Sequence, residues 1–445
     1  MSPLTPSPAL SFEHLARALE TMGRACLQVL RAPAGARSFL VSRLLARLAR
    51  PILLLTPTVA EAEESFREVS AYLGEERCVL FPSGEVAPYE AMPPYAPAVH
   101  DRMRALFRIG GDPPVVLVAP VEAVLEKTLP REAFLGAVRR IVPGMEIDVG
   151  RFSRRLSELG YARLPSTVEA GDFSVRGGIV EVYSPAHPLP ARLSLDGDRV
   201  ESLRWFDPKT QRTRREGEEL IVLPCSQVIT RPEYLSAGAA AAGEEYRDAI
   251  RQGIRFHGAD AMLPFLYGRA ASVFEYLPEG AVVAAVDAVS CASHARNAFA
   301  EAEENHLSSG MEKGLPSPAE LFVAPEEFVR TFRDVPLLCF DSLEVAPFER
   351  KDVVRGEIDA QGNEDIRRST ATSASEGLLL PLVTEAKEWW KRGGRFVVTS
   401  LSPSQSDRME ELLGRYALPL TSGATLKESL EGGKGIALCC SEATR

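Results

Sequence analysis

Eight residues, Arg31-Ala32-Pro33-Ala34-Gly35-Ala36-Arg37-Ser38, stand between an apolar run at 25–30 and a helical pattern at 37–49. A strand-to-helix junction of this kind is where a phosphate-binding loop would lie. A working loop reads G-x-x-x-x-G-K-[ST]: glycines let backbone N–H groups reach phosphate, lysine meets the β- and γ-phosphates, and the hydroxyl meets magnesium. Here Arg31 and Ala36 replace both glycines, Arg37 replaces the lysine, and Pro33 removes a backbone donor. Gly35 falls outside the motif's glycine positions, and Ser38 alone keeps its motif identity. The apolar run 115–119 leads straight to Pro120, so no acidic partner for the metal follows it. The expectation is an ancestral phosphate loop kept as a turn, with no ATP hydrolysis. The alternative left open is that Arg37 and Ser38 hold an anion at the helix start.

Arg176 and Arg192 are the other residues whose type asks for an explanation. They fall in residues 171–213, which read as short alternating strands and tight turns. Residues 174–183 read as one strand with Gly177-Gly178 as a bulge or a close backbone approach, and 189–195 as a second. Asp196-Gly197-Asp198 reads as a hairpin turn, 200–206 as a third strand, and Asp207-Pro208 as the end of the sheet. A planar guanidinium makes bidentate contacts and stacks on rings, which is recognition chemistry. The alternative is two ordinary strand-surface arginines balanced by Glu181 and Asp196.

Other chemistry is poorly supported. There is no G-x-S-x-G and no Cys–His–Asn spacing. The seven cysteines form no C-x-x-C, and Cys291 with His294 is the nearest approach to a metal spacing. Buried free thiols in a reducing cytosol and no metal site are expected. Trp389-Trp390 reads as one buried and one half-exposed helix residue. The basic clusters Arg151/Arg154/Arg155, Arg212/Arg214/Arg215 and Arg350/Lys351 read as solvated faces.

The chain has 445 residues, 45% hydrophobic and 25% charged, with a net charge of −10. Those values suit a globular protein of two to four domains and argue against whole-surface attraction to nucleic acid. No apolar run approaches membrane-spanning length, so a cytoplasmic protein with no membrane partner is expected. Strand and helix alternate through the first 125 residues. The expected fold class is α/β: a doubly wound parallel-sheet domain of degenerate P-loop, helicase-lobe type, interrupted by a small α+β insert and followed by a third small α/β domain. The expected boundaries are 1–130 and 214–345 for the two parts of the first domain and 131–213 for the insert. Residues 346–377 read as a linker, and 378–445 as the third domain, truncated because no closing element follows Cys440.

Residues 171–213 resemble the inserted domain shared by the excision-repair helicase UvrB and the bacterial transcription-repair coupling factors. That resemblance is carried by Gly171-Asp172-Phe173, Arg176-Gly177, Glu181-Val182-Tyr183, Pro190-Ala191-Arg192, Val200-Glu201-Ser202-Leu203-Arg204, Phe206-Asp207 and Gln211-Arg212. Phe81-Pro82, Glu85, Pro88-Tyr89-Glu90 and Arg102-Met103-Arg104-Ala105-Leu106 also fit the coupling factors. Residues 91–101 are too few for the aromatic hairpin with which UvrB clamps damaged DNA, and Tyr95 is their sole aromatic. The resemblance implies UvrA as the partner of the insert, contacted by Arg176 and Arg192. After the second arginine the family carries aromatic residues; Leu195 is the apolar substitute here. It further implies a non-catalytic adaptor without a cofactor in these residues. ATP and magnesium would belong to translocase domains further along a full-length protein, with RNA polymerase and double-stranded DNA as its other partners. A UvrB-type helicase core and a non-hydrolysing nucleotide- or anion-binding module are the competing readings.

Overall fold

The computed structural model describes residues 9–21, 23–84, 89, 95–254, 256, 258–311, 314–362, 379–400, 402–416, 418–422, 426–431 and 435–440. Its centre is built from short apolar runs. Strands β1 (Cys26–Leu30) and β2 (Ile52–Thr56) are buried at every position, β3 (Cys78–Leu80) is shorter, and β4 (Val116–Pro120) is again wholly buried. Strands covered on both faces need no polar side, which is why these runs show no alternation.

The insert follows. Its strands are β5 (Arg139–Ile141), β6 (Ala162–Arg163), β7 (Asp172–Arg176), β8 (Ile179–Val182), β9 (Ala191–Asp196), β10 (Arg199–Phe206), β11 (Thr213–Glu216) and β12 (Leu220–Val222). The chain then returns to the first sheet with β13 (Val282–Val286), β14 (Leu337–Asp341) and β15 (Val353–Glu357). The seven strands run in the order β15-β1-β14-β13-β2-β4-β3, every pairing parallel. The architecture is α/β, with one large parallel sheet and three smaller sheets.

Successive residues of the central strands feed opposite faces. Leu27, Ile52, Leu54, Val116 and Val118 pack under the helices Phe12–Thr21, Ala34–Leu48 and Val59–Leu73. Cys26, Leu53, Leu55, Leu117 and Ala119 face the helices Ala96–Ile109 and Ala288–Asn305. This second core continues without a break into the insert, through Phe152, Leu156, Phe173, Val180 and Leu203. The insert is therefore packed onto the body.

Three sequence expectations need correction. Residues 174–183 are two strands: Gly177-Gly178 is the turn of the β7–β8 hairpin, with Gly177 at φ 58° in the left-handed region. A two-residue turn needs that conformation, and glycine adopts it without a side-chain clash. The sheet does not end at Asp207. That carboxylate accepts from the Lys209 and Thr210 N–H groups, and the turn brings β11 back beside β10. β12 then pairs antiparallel with β5 at the neck, so the insert runs beyond the expected boundary at 213.

The expected linker 346–377 gives residues 353–357 to the sheet as edge strand β15. Its charges hid it: Arg355 donates to Gln28 Oε1 at 2.8 Å and Arg31 pairs with Glu357. Residues 363–378 lie outside the described residues. The third unit has strands β16 (Arg395–Ser400), β17 (Leu420–Ser422) and β18 (Gly435–Cys440), parallel in the order β16-β18-β17. Ser402 caps its second helix, accepting from Gln405 N–H. Trp389 and Trp390 are both exposed, at 47% and 43%, where one was expected to be buried. Among the described residues no helix is long and apolar enough to cross a membrane.

Candidate functional site

The six-stranded sheet of the insert has two faces of opposite character. Phe173, Val180, Val182, Leu193, Val200 and Leu203 turn inward to the shared core. Alternation then sets the intervening residues outward. One outward row crosses five strands as Ser174, Glu181, Arg192, Arg204 and Glu216. The next row holds Arg176, Ile179, Ser194 and Ser202. Arg176 and Arg192 thus lie on one face, one row apart, with Ile179 beside Arg176.

The two arginines differ in surroundings. Arg176 ends its strand beside the glycine turn, is exposed, and makes no ion pair with any described residue. Arg192 is set into the face, its side chain 24% exposed. Its Nε donates to Glu181 Oε1 at 2.8 Å, Nη2 forms an ion pair with the same oxygen at 2.7 Å, and its guanidinium lies 4.5 Å from the centroid of the Phe206 ring. The Gln211 carbonyl stands at 3.5 Å from Nη1 and Nη2. Glu181 is buried, and its other oxygen accepts from Ser174 Oγ at 2.9 Å. Arg204 pairs with Glu216 at 3.0 Å.

Leu195 is placed otherwise than the resemblance implied. It pairs with Val200 and packs partly buried against the core, on the face opposite the arginines. An exposed apolar side chain on the arginine face, beside Arg176, is Ile179, 41% exposed. A single strand over 174–183 would not bring Ile179 to a hairpin tip, where the β7–β8 turn places it. Asp196 shares the alternation of Arg192 and is exposed.

The loop after β1 is held by its own side chains. Arg31, at φ 53°, pairs with Glu357, and its N–H donates to the Asp341 carbonyl at 2.9 Å. Arg37 Nε donates to the Ala32 carbonyl at 2.8 Å. Ser38 is buried and its hydroxyl donates to Glu68 Oε2 at 2.5 Å. Gly35 lies exposed within the helix Ala34–Leu48, with open space where a Cβ would stand. Asp341, at the end of β14, is a buried acid. It accepts from Gln28 Nε2 at 2.7 Å and from the Ala288 N–H at 2.9 Å. Burial raises its pKa, opposed by those two hydrogen bonds and by the charge of Arg37.

The Phe81 and Arg102 region is structural in its contacts. Arg102 is 1% exposed, sits 4.2 Å from the Phe81 ring centroid, donates to Pro82 O at 2.8 Å and pairs with Glu126 at 3.1 Å. Glu126 accepts from the Gly84 N–H at 3.0 Å. Residues 85–88 and 90–94, which carry Glu85, Pro88 and Glu90, lie outside the described residues; Tyr89 donates to the Pro316 carbonyl and Tyr95 is 55% exposed. Among the described residues six cysteines are buried and in no disulfide, and no group of three or more His, Cys, Asp or Glu that could hold a metal ion converges.

Residues 140–227 match the family model described as the UvrB interaction domain. The transcription-repair-coupling factor of Myxococcus xanthus is 31% identical over 405 residues, 85% of this chain and 34% of that protein. That of Haemophilus influenzae is 24% identical over 323 residues, covering 70% of this chain and 28% of the relative. That of Escherichia coli strain K12 is 25% identical over 191 residues, 43% of this chain and 17% of the relative. The chain spans about a third of the length of the first two relatives.

Proposed function

Since this chain belongs with the transcription-repair-coupling factors and corresponds to part of them, we propose that it is their docking module for the excision-repair protein UvrA. The observation that carries the reading is the outward face of the insert. Arg176, Ile179 and Arg192 lie together there, on strands inside the region that matches the UvrB interaction domain. Arginine beside an exposed aliphatic side chain is the composition of a protein interface anchor. A partner carboxylate would meet Arg176 and the remaining Nη1 donor of Arg192, while an apolar side chain would cover Ile179.

The loop at 31–38 supports an adaptor over an enzyme. Phosphate binding needs backbone N–H groups approached through glycine and a lysine reaching outward. Here Arg37 Nε turns back to donate to the Ala32 carbonyl, and the Ser38 hydroxyl donates a hydrogen bond to Glu68. These residues do not fit a bound nucleotide with magnesium, and the loop is read as a phosphate loop retained as a turn. In the whole protein the module would bring UvrA to stalled RNA polymerase. An ATP-driven double-stranded DNA translocase, C-terminal to these residues, would supply the motion.

The experiment is co-elution with UvrA of the same organism on size exclusion, for wild type and for Arg176→Glu. Co-elution of wild type alone is expected, since charge reversal adds repulsion to a lost contact. Equal co-elution of the two would remove the arginine face from the interface.

A further inference from the structure

We propose that Glu181 is a positioning residue for docking: it holds the Arg192 guanidinium in the orientation that the partner engages. The inference rests on the UvrA-docking reading above and assigns a role to a residue that would not itself touch the partner. Glu181 is 6% exposed and stands directly between Ser174 and Arg192 across the sheet.

Burying a carboxylate is unfavourable unless it is paired and hydrogen-bonded, and here both oxygens are used. Oε1 takes Arg192 Nε and Nη2, and Oε2 takes Ser174 Oγ. Phe206, fully buried on the same side of the sheet, fixes the guanidinium plane from its face. The Gln211 carbonyl bounds the far edge. Nε and one Nη2 N–H face Glu181, and Nη1 and Nη2 each turn an N–H to the Gln211 carbonyl at 3.5 Å, so of the five N–H donors of the guanidinium one, on Nη1, is left in a fixed direction for an incoming acceptor. An arginine free to rotate must lose side-chain entropy on binding, whereas one already clamped loses little. Arg176, exposed and without an ion pair to any described residue, carries that entropic burden; Arg192 does not.

The test is a double-mutant cycle read as UvrA affinity, with melting temperature recorded for each variant. Glu181→Gln keeps the side chain's shape and removes its charge. It is expected to weaken UvrA binding by about tenfold when Arg192 is present and by less than about twofold in an Arg192→Ala background. A residue that only supports the fold would give the same factor in both backgrounds, and that result overturns the proposal, as does no effect in either. Ser174→Ala releases one carboxylate oxygen without uncovering the charge, and it serves if Glu181→Gln fails to fold. Its loss of affinity should be smaller, with the same dependence on Arg192; a loss independent of Arg192 counts against the proposal. Arg176→Ala should add independently of Glu181→Gln. If wild type does not bind UvrA at all, the docking reading falls and this inference with it, an outcome distinct from uncoupled losses.

Discussion

Arg176 and Arg192 share a face but should respond differently to substitution. Arg176→Ala removes an exposed group with no ion pair to a described residue, so stability should move by less than about 0.5 kcal/mol. UvrA affinity should fall by about 1–3 kcal/mol, roughly 5- to 150-fold in Kd. Arg192→Ala should cost similar affinity and also lower the melting temperature, because it leaves the Glu181 carboxylate buried and unpaired, a loss of about 1–3 kcal/mol. Leu195→Ala should reduce stability by about 1–2 kcal/mol and leave affinity unchanged, whereas Ile179→Ala should do the reverse; calorimetric titration beside thermal melting separates the two. The position of Leu195 was legible from the sequence in principle: it lies an odd number of residues from Arg192, and a strand sends odd steps to the opposite face. Matching a family pattern of aromatics outweighed that count. The clamp on Arg192 was not legible, because Glu181, Phe206 and Gln211 come to it from other strands and turns.

At the scale of elements, the central strands announced themselves as continuous apolar runs, and the helices beside them as periodic ones. What escaped had physical disguises. β15 carries charges that it neutralises within the sheet edge. The 18-residue helix Ala288–Asn305 packs through alanine and cysteine, so it shows little apolar contrast. The β7–β8 turn looked like a bulge because two glycines permit either. Two predictions belong here. Equilibrium dialysis with ATP and magnesium should show no retention by the wild-type chain, since the Ser38 hydroxyl and the Arg37 Nε are engaged internally and the loop lacks the motif's glycines and lysine; saturable retention would reopen the nucleotide-binding alternative. The second concerns His187, whose Nε2 accepts from the Ile221 N–H at 2.9 Å and so ties the β8–β9 loop to the neck strand β12. Desolvation pulls its pKa down to about 4, with the charge of Arg215 adding to it. A histidine with a depressed folded pKa contributes full stability above its unfolded value of about 6.5 and loses it as pH falls towards 4. That loss should be on the order of 2–3 kcal/mol over the window. Melting curves of wild type and His187→Gln between those pH values should converge at the acid end; parallel curves would contradict it.

As a whole, the molecule is an α/β body with the insert packed on by a continuous core and a smaller parallel-sheet unit following it. Its acidic balance of −10 sets the terms for partners: direct DNA binding should be weak, indifferent to lesions and steeply reduced by salt. Retention of an adducted duplex at near-physiological salt would instead favour a UvrB-like role. Fold class and the existence of the insert were readable from the sequence; its neck was not, since β5 and β12 are short strands far apart in the chain. The central claim is that the outward face of the insert docks UvrA, and calorimetric titration of UvrA into wild type and an Arg176→Ala/Ile179→Ala double variant tests it most directly. Saturable binding by wild type is predicted, with affinity reduced by more than about tenfold in a double variant of unchanged melting temperature. Equal affinity in a fully folded double variant would contradict the account.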